Sequence, residues 1–147
     1  MRQKLETLRA AMDALNVGVV VIDETDHIVV FNRTAGSVLL QKEPEKRIGS
    51  SILRCHPERA EPGFMKMIAK MKSGEMKKYE GWVNFGGKIL YEYIYPLWDQ
   101  KGKYIGAVSE LHPAAEKAEY LKSKGEWKEP QMHGLGESAP RSPYPEE

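Results

Sequence analysis

Two short runs of β-branched and aromatic residues, Val17-Gly18-Val19-Val20-Val21-Ile22 and Ile28-Val29-Val30-Phe31-Asn32, flank five polar residues, Asp23-Glu24-Thr25-Asp26-His27. Runs of this kind pack well on a pleated, half-buried surface, and the polar break is short enough to return the chain directly. The spacing therefore predicts a tight β-hairpin. Neither run alternates strictly, so each strand is expected to be covered on most of one face and partly on the other. The strand pattern stops at Phe31-Asn32, where Arg33-Thr34-Ala35 brings in small and polar residues. Upstream, residues 3–15 carry Leu5, Leu8, Met12 and Leu15 at spacings of three, four and three, an apolar stripe on a charged helix. That stripe suits a helix packed on its own domain or one that dimerises or carries a signal.

The rest of the chain extends this beginning into one domain. Residues 33–48 read as two or three short helical turns, with Pro44 suited to a first turn, and Gly49-Ser50-Ser51 breaks the pattern. A second clear helix covers 62–73: Pro62 opens it, Phe64, Ile68 and Met71 line one side, and Gly74 follows its end. Strand signals then occupy 75–84, 88–98 and 104–111, joined by Gly86-Gly87 and by the loop Asp99-Gln100-Lys101-Gly102-Lys103. Along 75–84, Tyr79, Gly81 and Val83 point one way and Glu80 and Trp82 the other. In 88–98, Ile89, Tyr91, Tyr93, Tyr95 and Leu97 share one face, and Leu90, Glu92, Ile94 and Trp98 fall among the others. Two strands, helices, then three antiparallel strands is an α+β order, with helices inserted between two halves of one sheet.

At 147 residues the chain is long enough for one domain with an extension at each end. The expected division is an N-terminal amphipathic helix over 1–15, a domain over 16–112, a charged helical extension over 113–128 and a flexible tail over 129–147. The tail holds four of the nine prolines and almost nothing apolar, too little to order itself. Acidic and basic residues nearly balance at a net charge of +1, so the sequence carries no electrostatic footprint for nucleic acid. No apolar run approaches the ~18 residues of a membrane span, and the first residues lack the apolar core of a secretory signal. Cys55 is the single cysteine, so no internal disulfide can form, which fits a reducing compartment; a cytoplasmic location is expected.

Three segments together resemble a PAS domain, the small sensory module of bacterial and archaeal signalling proteins. They are Ala14-Leu15-Asn16-Val17-Gly18-Val19-Val20-Val21-Ile22-Asp23, then Ile28-Val29-Val30-Phe31-Asn32, then Tyr95-Pro96-Leu97-Trp98-Asp99-Gln100-Lys101-Gly102-Lys103-Tyr104-Ile105-Gly106. The resemblance covers residues 3 to 112. It implies a PAS-like five-stranded antiparallel sheet with helices over one face, enclosing a pocket. Such domains bind cofactors or small metabolites, or bind nothing and dimerise. The partners it implies are a second copy of the chain and a downstream signalling protein; no effector sequence follows, so the output is expected to act in trans or to lie outside this chain. The fold alone names no ligand.

Cys55 and His56, in Leu53-Arg54-Cys55-His56-Pro57-Glu58, are the residues with chemistry at the expected pocket mouth. Both side-chain types ligate transition metals or haem iron, and the following proline stiffens the backbone. The segment is similar to a Cys-His-Pro-Pro element of a subset of PAS domains, with Glu58 in place of the second proline. The plain structural alternative makes Cys55 a small buried hydrophobe and His56 a helix-start residue. If the site is functional, haem is the leading ligand, with His56 as the metal-ligating residue. The pocket would then be lined by Met65, Met67, Ile68, Met71, Leu90, Tyr93 and Ile94; the methionines suit an adaptable core equally well. A thiol redox switch at Cys55 is a further alternative.

Other chemistries lack their residues. Flavin photochemistry is disfavoured: Gly49 and Cys55 are six apart, and the late strands offer no inward Asn or Gln. His27, His112 and His133 form no pair with metal-ligand spacing, so a zinc site is not expected. Acidic residues fall on turns and helix surfaces, no serine sits in a strained elbow, and the glycines serve turns rather than phosphate cradles, so the chain is not expected to be an enzyme.

Overall fold

The computed structural model describes residues 1–55, 61–85 and 88–128. The expected hairpin forms β1 (Gly18–Asp23) and β2 (Ile28–Phe31), preceded by helix α1 (Arg2–Ala14). Helix α2 (Arg33–Val38) and two 3-10 turns, Pro44–Arg47 and Ile52–Cys55, follow the hairpin. After α3 (Glu61–Lys72) come β3 (Tyr79–Phe85), β4 (Lys88–Trp98) and β5 (Tyr104–Pro113), and α4 (Ala115–Ser123) closes the described chain. The five strands make one sheet in the order β2-β1-β5-β4-β3, with every neighbouring pair antiparallel. The first two strands are thus joined to the last three through β1 and β5. The third strand starts at Tyr79 rather than at 75; Met76 N–H still bonds back to the Lys70 carbonyl, so the segment after α3 serves to finish the helix. The expected tail, 129–147, lies outside the described residues.

Both loops at one end of the sheet use the same device. Asp23 Oδ1 accepts from the N–H groups of Thr25 and His27 and from the Thr25 hydroxyl. Asp99 Oδ1 accepts from the N–H groups of Lys101 and Lys103. In each loop the residue three positions on takes a positive φ, Asp26 in one and Gly102 in the other. A short acceptor side chain that bonds its own backbone two residues on is what allows so tight a reversal. The Thr25 hydroxyl, first, and the His27 N–H then hold the Asp23 carboxyl below its ordinary range.

The core lies between one face of the sheet and the α2, 3-10 and α3 layer. Val20, Ile22, Ile28, Phe31, Ala35, Val38, Ile52, Ile68, Val83, Leu90, Ala107 and Leu111 form one buried cluster. Full burial of a Val, Leu, Ile or Phe side chain contributes roughly 1.5–3 kcal/mol, so this cluster is the main favourable term for the fold. Gly106 lets β1 and β5 close over it: its φ is 154°, and a Cβ there would collide with the Ile22 carbonyl.

Asn32 ties the layers together. It is 2% exposed and makes four side-chain hydrogen bonds. Oδ1 accepts from Val19 N–H at 2.8 Å and Ala35 N–H at 2.9 Å; Nδ2 donates to the Met12 carbonyl at 2.8 Å and the Val17 carbonyl at 3.0 Å. One side chain therefore caps α2, pairs with β1 and holds the end of α1. Arg33 N–H to Asp13 Oδ1 and the Thr34 hydroxyl to the Leu15 carbonyl reinforce the same junction. Helix α1 itself buries none of its residues.

Candidate functional site

Strand β4 runs through the middle of the β5–β4–β3 half of the sheet, and its alternation decides what faces the helices. Leu90 pairs with Val83 and Pro113, Glu92 with Gly81 and Leu111, and Ile94 with Tyr79 and Ser109. Because Val83, Leu90 and Leu111 belong to the core, Glu92, Ile94, Tyr79 and Ser109 point to the same helix-covered side. Two alternately spaced sets were legible along this strand, and the inner one contains a carboxyl group.

Glu92 is part-buried on the helix-covered face of β4. The Ser109 hydroxyl donates to its Oε2 at 3.2 Å, its one hydrogen bond among the described residues. Burial pushes the carboxyl up from 4.5 to about 7, with the Ser109 bond opposing that rise. Burial, and next the Glu92 charge, raise the Tyr79 hydroxyl as well. Tyr79, Glu92, Ile94 and Ser109 on the sheet, and Phe64 and Met67 on α3, are part-buried and keep some exposure. Gly81, opposite Glu92, is buried, as are the neighbouring Leu90 and Leu111. The inner face thus sets a carboxyl and a hydroxyl among part-buried apolar side chains.

The residues expected at a ligand site distribute unevenly. Ile68 and Met71 of α3 are buried, at 1% and 0% exposure, and Ile68 joins Leu90 in the core. Met67 and Ile94 pack against that core. Met65 does not line the wall: it is 39% exposed on α3, three residues from Ile68 but turned from the sheet. Tyr93 is also corrected. It stands on the opposite face of the sheet, its ring 5.0 Å from Tyr91, 6.1 Å from Tyr95 and 5.6 Å from His112. The period of two requires this, since Tyr93 lies between the inward Glu92 and Ile94. Cys55 ends the second 3-10 turn, but its side chain, His56 and hence the proposed metal-ligating atom lie outside the described residues. Among the described residues no group of three His, Cys, Asp or Glu could hold a metal ion.

The outer sheet face is aromatic. Trp82 meets Tyr91 edge-on at 4.9 Å, the Tyr91 hydroxyl donates to Glu80, and Trp127 beyond α4 reaches Trp82 at 5.7 Å. A groove between α1 and α2 is lined by Glu6, Arg9, Asp13 and Arg33. Both signs of charge alternate there, so it favours neither anions nor cations.

Residues 8–111 match the PAS domain family. The chain belongs to that family. PAS domains are sensory modules of signal transduction and are typically not catalytic. No curated protein matches the chain, whereas many solved structures share its fold. The C-terminal domain of a Streptococcus mutans protein is similar over 79% of this chain and 89% of its own, with TM-score 0.66 and 18% identity. A sensory box sensor histidine kinase from Vibrio cholerae matches over 76% of this PAS chain and 93% of its own, at TM-score 0.53 and 16% identity. Phage VqmA in complex with DPO matches over 84% and 59%, at TM-score 0.62 and 12% identity. No helix among the described residues of this PAS domain is long and apolar enough to cross a membrane.

Proposed function

We propose that this PAS domain is a non-catalytic sensor that takes a small molecule between the inner face of β3–β5 and α3, and passes the change to a signalling partner. The observation that supports it is a part-buried carboxyl, Glu92, with Ile94, Tyr79 and Ser109 beside it, on the helix-covered face of the sheet next to the buried Leu90 and Leu111. Interiors are normally as dense as organic crystals, so exposed surface around a desolvated carboxyl is the signature of a ligand space. The phage VqmA–DPO complex and the Vibrio cholerae sensor histidine kinase, both of similar fold, support the same reading.

Haem ligated by His56 is the form of this reading favoured by the Cys-His-Pro segment. Ile68, Met71, Leu90 and Ile94 offer the apolar wall a porphyrin would need. The Glu92 carboxyl in that wall suits the face of a porphyrin poorly and favours a smaller ligand with a hydrogen-bond donor. Titration with haemin and, separately, with indole tests both forms. NMR shifts confined to α3 and the inward residues of β4 and β5 are expected for a ligand site. A Soret band lost in His56→Ala selects haem. If neither compound perturbs those residues, the ligand reading fails.

A second reading rests on α1, whose Leu5 and Leu8 are each 59% exposed and which buries no residue. A helix with an uncovered apolar stripe suits self-association. Sedimentation velocity on Leu8→Ser checks this: a dimer reduced to monomer supports it, and an unchanged species removes it.

A further inference from the structure

The ligand space proposed above has a polarity that limits its occupant, and the inference here rests on that proposal. Glu92 sits at its floor with one donor, the Ser109 hydroxyl on Oε2. Oε1 has no partner among the described residues, and it is not one of the sealed polar atoms lacking a partner, which are Asp26 Oδ1 and the Tyr104 hydroxyl. Glu92 is part-exposed, so Oε1 stands without a protein partner among the described residues in a carboxyl that a small molecule can reach. None of the described ion pairs includes Glu92, and no positive side chain contributes to its titration. The groups facing it are the Ser109 hydroxyl from β5 and the Tyr79 phenol from β3, with backbone alone at Gly81.

A desolvated carboxylate with an unused oxygen and no counter-charge lacks one thing, a positively charged hydrogen-bond donor. Charge-assisted bonds of that kind are shorter and about twice as strong as neutral ones. The Ser109 oxygen, having given its proton to Glu92, keeps lone pairs that can accept a second N–H. Around these two oxygens the partly covered surfaces of Ile94, Phe64 and Met67 are apolar.

We propose that Glu92 and Ser109 are the recognition point for a small organic cation, a primary amine or protonated nitrogen heterocycle carrying a compact apolar or aromatic body. The ammonium bonds Glu92 Oε1 and the Ser109 oxygen, and the body rests against Ile94 and the α3 side chains. Because the bound cation requires the ionised carboxylate, binding expels the proton that Glu92 otherwise retains near neutral pH. Neither residue belongs to the Cys55–His56 segment, so the recognition is independent of metal ligation.

Benzylamine and its neutral counterpart benzyl alcohol, titrated into the full chain and followed by NMR at Ile94 and Ser109, test this. In the wild type, benzylamine is expected to bind about tenfold more tightly or better at pH 8, the gain of one charge-assisted contact. In Glu92→Gln that preference should fall to about twofold or less, and Ser109→Ala should lower it by a smaller factor. Within the wild type alone, benzylamine affinity should weaken several-fold from about pH 8 to pH 6, with benzyl alcohol unaffected, which keeps the test valid if Glu92→Gln does not fold. Equal affinity for the two compounds, or a preference that survives Glu92→Gln, overturns the cation assignment and leaves the ligand space standing. Binding of neither compound overturns both.

Discussion

Asn32 and Glu92 are two polar side chains on the inner side of this domain, and they are treated in opposite ways. Asn32 uses both donors and two acceptor positions on its amide, and every partner is backbone of a different segment. Glu92 has one hydrogen bond among the described residues, to a hydroxyl, and keeps some exposure. The surroundings differ in the same sense. Around Asn32, Phe31, Ala35 and Val20 are at or below 6% exposure, whereas Glu92 has the part-buried Tyr79, Ile94 and Ser109 on one side and the buried Leu90 and Leu111 on the other. A buried polar group whose bonding capacity is filled serves to specify the fold. One left short at a part-buried site costs stability that the fold does not recover, and its value lies in what it can bind.

The largest effect expected from this contrast is at Asn32. Asn32→Ala orphans the Val19 and Ala35 N–H groups and removes a donor from the Val17 and Met12 carbonyls, and should destabilise by on the order of 3–5 kcal/mol in urea unfolding. Glu92→Leu, measured alongside, should lie within about 1 kcal/mol of the wild type or be more stable, because a desolvated charge is exchanged for apolar contact. If Glu92→Leu costs as much as Asn32→Ala, the contrast is wrong.

Next in size is the pH dependence of stability. The Glu92 carboxyl is raised from 4.5 to about 7 in the folded state, so the folded chain holds a proton that the unfolded chain has released. The contribution is fully present below the unfolded value and is lost as pH rises through the folded one. Unfolding free energy should thus fall by on the order of 3 kcal/mol between about pH 4.5 and pH 7, at 1.36 kcal/mol per unit. Glu92→Gln should flatten that slope, and an unchanged slope would mean the carboxyl is well solvated.

Gly106→Ala probes the tightly packed half by sterics alone. The collision with the Ile22 carbonyl and the positive φ should lower stability by about 2 kcal/mol or more in thermal unfolding. Smallest is Leu8→Ser on the uncovered α1, expected to change stability by less than about 0.5 kcal/mol. A larger loss would show that α1 is packed in solution.

The parts of the fold readable from sequence are those encoded locally. The β1–β2 hairpin, α3 and the β4–β5 hairpin announce themselves through period and turn chemistry over about a dozen residues each. The pocket wall needed more. Along 88–98 both alternating sets are apolar or aromatic, so alternation separates the sets without saying which one the helices cover. The expected lining takes Tyr93 together with Leu90 and Ile94, although alternation puts Tyr93 on the opposite face from those two. The inner set instead includes Glu92, because β5 and β3 set Leu111 and Val83 beside it. A charged residue in an amphipathic strand ordinarily marks the solvent side, which is why sequence reasoning passed over Glu92 and Ser109. Met65 erred for a related reason: α3 carries methionines on more than one side, and composition does not choose among them.

The junction at Asn32 has a mechanical side as well. Thirteen residues of helix make α1 a rod about 20 Å long at 1.5 Å per residue. Its C-terminal end is fixed to the α2 turn by Asn32, Arg33 and Thr34, while its length touches little else. A tilt of about 10° at that pivot would carry the free end through about 3 Å, so small displacements of the domain are magnified at the tip of α1.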